Sequence, residues 1–467
     1  MKSTQTERLK ALLVSIRTPD VTEVEAEESL SELERLVTTL GFDVVAKERQ
    51  NRPSTKNSTV VGQGKLQTLA LYTGGKGAVE RTSFAKKTKA ALRQEEEEES
   101  EDVDDAPLQG VLGEDDDDSE NEKSSEEKPK AGVVVFDCDL TPSQLRNLEG
   151  ALGTEVLDRS GVIIEIFSRH AKTRTAKLQV EIARLNYLAP RLRETGGRSE
   201  RQAGQGAGES SLELDRRNIR DRVTELKSEL AQVQREQESR RNMRSEQLCV
   251  ALVGYTNAGK SSTMRALTGS QVLVEDKLFA TLDTTVRAIH PETHPRILVS
   301  DTVGFIKKLP HDLVASFRST LDEALNASLL LYVVDASDPT FVSQLKITRE
   351  VLDEVGVEDT PNFVVLNKAD RLTPEQRTRL AREFPMAIVI SSRDPDDVKL
   401  LREKIVRVFE KDMVDEEIFA PYTTVGIVGE IRGGMRVIKE DFENEGVRFR
   451  VRARPADLQR LKKKFGL

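Results

Sequence analysis

Apolar positions along this chain change their period several times, and each change marks a different kind of segment. In "AEESLSELERLVTTLGF" they recur at helical spacing and the run closes on a glycine, which predicts a helix with its C-terminal stop. "DVVAKERQ" reads as a strand, and "STVVGQGKLQTLAL" as a strand, a Gly-rich turn and a helix start. Further on, "GVVVFDCDL" is continuously apolar and predicts a buried strand. "TPSQLRNLEGAL" then predicts a helix with Thr141 as N-cap and Pro142 at its first position. "TEVLDRSGVIIEIFSRHA" adds another strand and helix. Alternation of this kind predicts an α/β subdomain over residues 1–94 and 131–172.

The pattern then becomes purely helical. "KTRTAKLQVEIARLNYLAPRL" is one long helix and residues 211–246 are another. The second carries Leu212, Ile219, Val223, Leu226, Leu230 and Val233 along one stripe, a short heptad seam. "ETGGRSERQAGQGAGESS" joins the two and holds five glycines. An antiparallel hairpin over 173–246, with a flexible Gly/Arg tip, follows from this spacing. Such a tip serves as a plain linker or as a group that approaches a phosphate backbone closely.

From Gln247 short apolar runs return: "LCVALVGYTN", "RILVSDTVGF", "LLLYVVDAS", "NFVVLNKAD" and "MAIVISSR", separated by helical stretches. They predict a doubly wound parallel sheet over 247–412. The remainder, 413–467, reads as strands and a helix of a small C-terminal domain. The fold class is thus α/β and multidomain.

Composition changes this picture in one place. The chain has 467 residues, 37% hydrophobic and 32% charged, without Trp. Its net charge of −9 is unevenly held: residues 95–128 contain eighteen acidic and two basic residues, a net of −16, so the rest carries +7. A run of that composition cannot bury a core and predicts a disordered acidic insert, 95–130, between parts of the first subdomain. It reads as a solvated spacer, with electrostatic mimicry of nucleic acid as the sharper alternative. The start, "MKSTQTERLKALLVS", lacks the apolar centre of a secretory signal, and no run is long enough for a membrane span. Only Cys138 and Cys249 are present, without metal or disulfide spacing. A cytoplasmic protein is expected.

The chemistry concentrates in 247–412. "GYTNAGKSS" fits the phosphate-loop pattern from Gly254 to Ser261, after an apolar strand and before a helix. Gly254, Tyr255, Thr256, Asn257, Ala258 and Gly259 supply the cradle of backbone N–H groups. Lys260 reaches the β- and γ-phosphates and Ser261 is a Mg²⁺ ligand. Asp301 ends the next strand and holds Mg²⁺ through water. Thr302, Val303 and Gly304 continue its loop, and the Gly304 N–H is placed to bond the γ-phosphate. In "LNKAD", Asn367, Lys368 and Ala369 brace the base and loop, while Asp370 accepts from N1–H and the exocyclic amine of guanine. Adenine offers no such pair, so GTP is expected over ATP. Ser391, Ser392 and Arg393 occupy the position of the loop over the base. A switch loop in "FATLDTTVR" needs a Mg²⁺-binding hydroxyl, with Thr281, Thr284 and Thr285 as candidates. After Gly304, where many such switches carry a water-orienting Gln, stands Phe305. "VGQGKLQTL" holds a Gly and a Lys but lacks phosphate-loop spacing and reads as an ordinary turn.

Taken together, "GYTNAGKSS", "FATLD", "DTVGFIKKLPHDLVASF" and "NKAD" resemble the HflX family of translation-associated GTPases. "LTPSQLRNLE", "DRSGVIIEIF", "KLQVEIARLNYL" and "LELDRRNIRDRV" extend the resemblance to nearly the whole chain outside the acidic run. The resemblance implies a monomeric cytoplasmic GTPase that uses GTP and Mg²⁺. It implies binding to the large ribosomal subunit, including ribosomal RNA, near its catalytic centre, and splitting of stalled or idle ribosomes. A ribosome-assembly GTPase and a nucleotide-gated RNA-binding module are the competing functions. It assigns the switch threonine to Thr281 within Phe279, Ala280, Thr281, Leu282 and Asp283, and makes Lys260, Thr281 and Gly304 the catalytic groups. Phe305 is usual in that family, which implies slow turnover until a partner orders the site. The hairpin loop here is shorter and poorer in Arg than the family's, and the base loop is Ser-Ser-Arg where Ser-Ala is commoner.

Overall fold

The computed structural model of the chain describes residues 9–79, 130–192, 211–242, 247–270, 278–279, 284–307, 323–357 and 360–466. The acidic run, the tip joining the long helices, residues 280–283 with Thr281, and the "LPHDLV" run lie outside them. The chain divides into two compact units, Met1–Ile166 and Phe167–Leu467.

The first unit holds a four-stranded sheet in the order β2-β1-β3-β4. Its strands are β1 (Lys10–Arg17), β2 (Asp43–Asn51), β3 (Val133–Phe136) and β4 (Glu155–Asp158), and all neighbours run parallel. The central β1 has no alternation to announce it: Ala11, Leu12, Leu13 and Val14 are all fully buried, as a strand covered on both faces requires. The helix Glu23–Thr39 starts with a reciprocal cap between Thr22 and Glu25, and Thr141 caps Pro142–Leu152 in the same way with Gln144.

"STVV" is not a strand. Val60 and Val61 are buried among Leu66, Leu69 and Leu12, but Val60 has φ 64°. Their N–H groups bond Asn57 O and Thr59 O within the turn, and the chain enters the helix Gln63–Thr73 directly. Two apolar residues plug the core here without any ladder. In the next helix, Lys65 forms an ion pair with Glu48 at 2.6 Å.

In the second unit, helices Arg174–Leu188 and Ser211–Asn242 pack through Leu178, Ile182 and Leu185 against Ile219, Val223, Leu226, Leu230 and Val233. The predicted stripe is therefore the seam from Ile219 onward, and the side chain of Leu212 lies outside the described residues. Arg174 bonds Glu229 at 2.6 Å and Glu181, further along its helix, acts on the charge of Arg222, earlier in the other, so the pair runs antiparallel.

A six-stranded sheet follows, in the order β10-β9-β8-β5-β7-β6. It comprises β5 (Leu248–Val253), β6 (Thr285–Ala288), β7 (Ile297–Asp301), β8 (Leu329–Asp335), β9 (Asn362–Asn367) and β10 (Ile388–Val389). The five predicted strands are parallel, and the edge strand β6, which periodicity did not reveal, pairs antiparallel with β7. Successive residues serve opposite faces. Leu331, Val333 and Val365 pack with Met264, Leu401 and Ile405, while Val334 and Leu366 pack with Phe341, Leu380 and Phe384. Helices thus cover both faces. Order along the sheet reverses beside β5, which puts the loop after β5 at the switch point where ligands bind in such folds.

The C-terminal residues form an antiparallel sheet of β11 (Val414–Pro421), β13 (Gly446–Ala453) and β12 (Arg436–Phe442). Helices Ile427–Gly434 and Pro455–Phe465 close its core. Among the described residues no helix is long and apolar enough to cross a membrane.

Candidate nucleotide-binding site

The loop after β5 is shaped by close approaches that only glycine permits. A Cβ on Gly254 would stand 2.1 Å from Val333 O, and one on Gly259, at φ 92°, would stand 2.2 Å from Asn367 Nδ2. Asn257 also takes positive φ, 58°. The loop passes into the helix Lys260–Thr268, whose start has no side-chain cap. Its first N–H groups are therefore left to a ligand, at the positive end of the helix dipole.

Lys260 is buried, with 6% of its surface exposed. Its Nζ donates to Gly254 O (3.1 Å) and Tyr255 O (2.9 Å). Burial pulls its pKa down to about 8, against the opposing pull of Asp301. An ammonium held in this state gains most from a phosphate anion, which replaces the lost solvation.

Asp301, fully buried at the end of β7, accepts from Ser261 Oγ at 2.6 Å. Thr302 is tied down instead of pointing to a ligand: its hydroxyl donates to Leu252 O at 2.7 Å. Val303 is buried. At Gly304 the chain presses on the phosphate loop, since a Cβ there would lie 2.9 Å from Lys260 Nζ, Thr256 Cα and Thr256 Cγ2 alike. Phe305 then bridges to Tyr255 in parallel strand fashion. Its N–H donates to Gly254 O at 3.1 Å, and its carbonyl accepts from Thr256 N at 2.8 Å. The ring is buried, 3% exposed. Phe305 is thus an anchor that fixes Gly304 against the phosphate loop, a role the sequence reading did not assign. Tyr255 adds a third tie, its hydroxyl accepting from Lys307 N–H at 2.6 Å.

At the base end, Asn367 is fully buried and spans two loops. Its Nδ2 donates to Ala258 O (3.0 Å) and its Oδ1 accepts from Ser392 N (3.1 Å). Lys368 takes φ 62°, and its Nζ pairs with Asp335 at 2.7 Å. Ala369 N donates to Ile390 O, which pins the turn to the end of β10. Asp370 accepts from Ser391 Oγ at 2.8 Å, with Arg393 3.6 Å from its other oxygen. Burial would raise its carboxyl, but the Ser391 hydrogen bond and the nearby Arg393 and Arg371 outweigh it and hold the group below the usual range. An ionised carboxylate here is the acceptor that a guanine edge needs. Arg393 N closes the loop on Ser391 Oγ at 3.2 Å.

The structure therefore brings the phosphate loop, the Asp301–Gly304 segment, the Asn367–Asp370 turn and the Ser391–Arg393 loop to the same strand ends. Of the "FATLD" candidates only Phe279 is described, and its ring packs on Phe167 with centroids 4.5 Å apart. Ala280, Thr281, Leu282 and Asp283 lie outside the described residues, so Thr281 keeps only its sequence assignment. Two supporting acids were missed. Asp335 holds Lys368, and Asp397 holds both Ser391 N (2.7 Å) and Arg377 (2.6 Å). An Asp at the end of the apolar run "LLLYVVD" was the available signal for the first.

No cluster of three or more His, Cys, Asp or Glu capable of holding a metal occurs among the described residues. The donors that are present, the Ser261 hydroxyl beside the Asp301 carboxylate, are hard oxygens in small number. That set suits Mg²⁺, which keeps much of its water and takes its remaining ligands from phosphates.

The chain matches known families over most of its length. Residues 249–368 match a family described as 50S ribosome-binding GTPase. Residues 170–244 match the GTP-binding GTPase middle region, and 27–81 with 118–168 match the GTP-binding GTPase N-terminal family. A protein named GTPase HflX from Gluconacetobacter diazotrophicus is 56% identical over 453 residues, covering 97% of each chain. Another of that name, from Caldanaerobacter subterraneus, is 32% identical over 455 residues, 96% of this chain and 91% of the relative. A solved GTP-binding protein of Sulfolobus solfataricus in complex with GDP aligns over 86% of this chain and 99% of its own, at 23% identity and a TM-score of 0.41.

Proposed function

This chain belongs to the HflX family of GTPases, and from that membership we propose that it is a translation factor, activated by the large ribosomal subunit, that separates stalled or idle ribosomes. That it binds GTP and hydrolyses it follows from the family. The ribosomal reading is supported by the match of 249–368 to a family described as 50S ribosome-binding, and by the net +7 outside the acidic run, which suits a nucleic-acid partner. In this reading 247–412 is the G domain. The subdomain of 1–94 and 131–172 and the hairpin of 173–246 make the ribosomal contacts, with 413–467 as a small C-terminal domain. The protein acts in the cytoplasm.

In the reaction, Lys260 neutralises charge on the β- and γ-phosphates and Gly304 N–H bonds the third phosphate. Ser261 and Thr281 would hold Mg²⁺ directly and Asp301 through water. The ion, when bound, offsets the charge that builds on the phosphate oxygens. Asp370 selects guanine, with Asn367 and Lys368 holding its turn. Ser392 and Arg393 cover the base, and Ser391 holds Asp370.

The observation that carries the activation model is Phe305. Its ring is buried and its backbone is committed to Gly254 and Thr256, so it supplies no acceptor to align water. Alignment has to come from a partner that orders the switch loops or adds a group of its own. Turnover by the chain alone is expected to fall far below the ~1–100 s⁻¹ of kinases. Purified large subunits are expected to raise it by orders of magnitude in a steady-state phosphate-release assay. Equal rates with and without subunits would reject partner activation and favour a self-sufficient hydrolase.

A further inference from the structure

We propose that the hydroxyl of Thr256 contacts the third phosphate of GTP, or the water that attacks it, and so helps the site prefer GTP to GDP. Thr256 is 6% exposed, and its Oγ1 is buried with no hydrogen-bond partner among the described residues. Three other hydroxyls of these segments are engaged: Ser261 with Asp301, Thr263 with Gly259 O, and Thr302 with Leu252 O. A buried hydroxyl without a partner is costly, and a valine of the same shape would fill the place without that cost. The hydroxyl therefore points to an acceptor supplied by a ligand.

Its location says which part of the ligand. Thr256 Cα and Cγ2 and Lys260 Nζ all stand 2.9 Å from the point where Gly304 would carry a Cβ. Lys260 is the group for the β- and γ-phosphates, and Gly304 N–H is the group for the third phosphate alone. Thr256 reaches this corner by its methyl carbon; the hydroxyl sits on the same Cβ, and rotation about that one bond exchanges the two. The buried ring of Phe305 contributes nothing polar to it. GDP has no atom to offer there, whereas GTP brings three charged acceptor oxygens. The proposal rests on the GTP site described above and is independent of the ribosomal reading.

The test compares Thr256→Val, which keeps shape and removes the hydroxyl, with Thr256→Ser, which keeps the hydroxyl. Affinities for GDP and for a non-hydrolysable GTP analogue, and the single-turnover hydrolysis rate, are measured without ribosomes. A hydrogen bond to a charged acceptor predicts that Thr256→Val loses roughly 10- to 100-fold in analogue affinity or in hydrolysis rate, with GDP affinity within about 2-fold of the parent. Thr256→Ser is expected to retain both analogue affinity and rate. Unchanged analogue affinity and rate in Thr256→Val would overturn the proposal. So would an equal loss of GDP affinity, or a Thr256→Ser variant as impaired as Thr256→Val, because either result makes the side chain a packing element of the loop.

Discussion

Lys260→Ala is expected to lose nucleotide affinity and turnover together. The ammonium is the buried cation of the site, held by Gly254 O and Tyr255 O and drawn down to a pKa of about 8 by burial. In the bound state it faces phosphate oxygens, and charge-assisted hydrogen bonds of this type contribute ~1.5–3 kcal/mol each. Two of them account for roughly a 10²- to 10⁴-fold fall in affinity for GTP, and the one that GDP can make, to its β-phosphate, for a fall of roughly 10- to 10²-fold. Turnover should fall further, since charge on the transferred group is spread over its oxygens in the transition state and the lysine is aimed there. The fold should survive, because alanine removes a buried charge and the core under the loop is formed by Leu252, Met264 and Val333. Titration with a fluorescent GDP analogue checks the first part and phosphate release the second. Retained binding with normal turnover would show that the phosphate loop has been wrongly placed.

Asp370→Asn is expected to change which base is accepted. The carboxylate is held ionised by Ser391, Arg393 and Arg371, and it presents two acceptors to the N1–H and amine of guanine. An amide presents one acceptor and one donor. The donor then meets the guanine amine, and one favourable bond becomes a donor–donor clash. Affinity for GTP should fall roughly 10²- to 10⁴-fold, as two charge-assisted bonds are weakened or lost. Xanthine carries a carbonyl where guanine carries that amine, so the same amide fits it, and affinity for the xanthine nucleotide should rise. A competition assay among GTP, ATP and the xanthine nucleotide reads all three. An unchanged preference for GTP would remove Asp370 from base recognition.

The site was more legible in the sequence than the fold that carries it. Gly254, Gly259, Lys260, Ser261, Asp301, Gly304, Asn367 and Asp370 announce themselves because a phosphate and a guanine edge demand fixed residue types at strand ends. The seam of the hairpin and the cap at Thr141 were equally plain, each being a local rule. What escaped depended on the tertiary surroundings. β1 has no alternation because both its faces are buried, and Val60 enters the core on a turn that its two-residue apolar run could not distinguish from a strand. β6 is an exposed edge strand whose residues are only half-buried. Asp335 and Asp397 act through Lys368 and Ser391, so no motif spacing exposes them. Phe305 stands where many such switches carry a water-orienting Gln, and the sequence says only what the ring cannot do. Its backbone pairs with Gly254 and Thr256 and so holds the segment that places Gly304, while the burial of the side chain is what an apolar ring suits.

If GTP on this chain acts on assembled ribosomes, as proposed, sedimentation of purified, assembled ribosomes after incubation with the protein and GTP will register it. The assembled peak is expected to fall and the separate subunits to rise, with Lys260→Ala leaving the profile unchanged. An assembled peak that stays intact while the protein hydrolyses GTP beside it would rule out ribosome splitting.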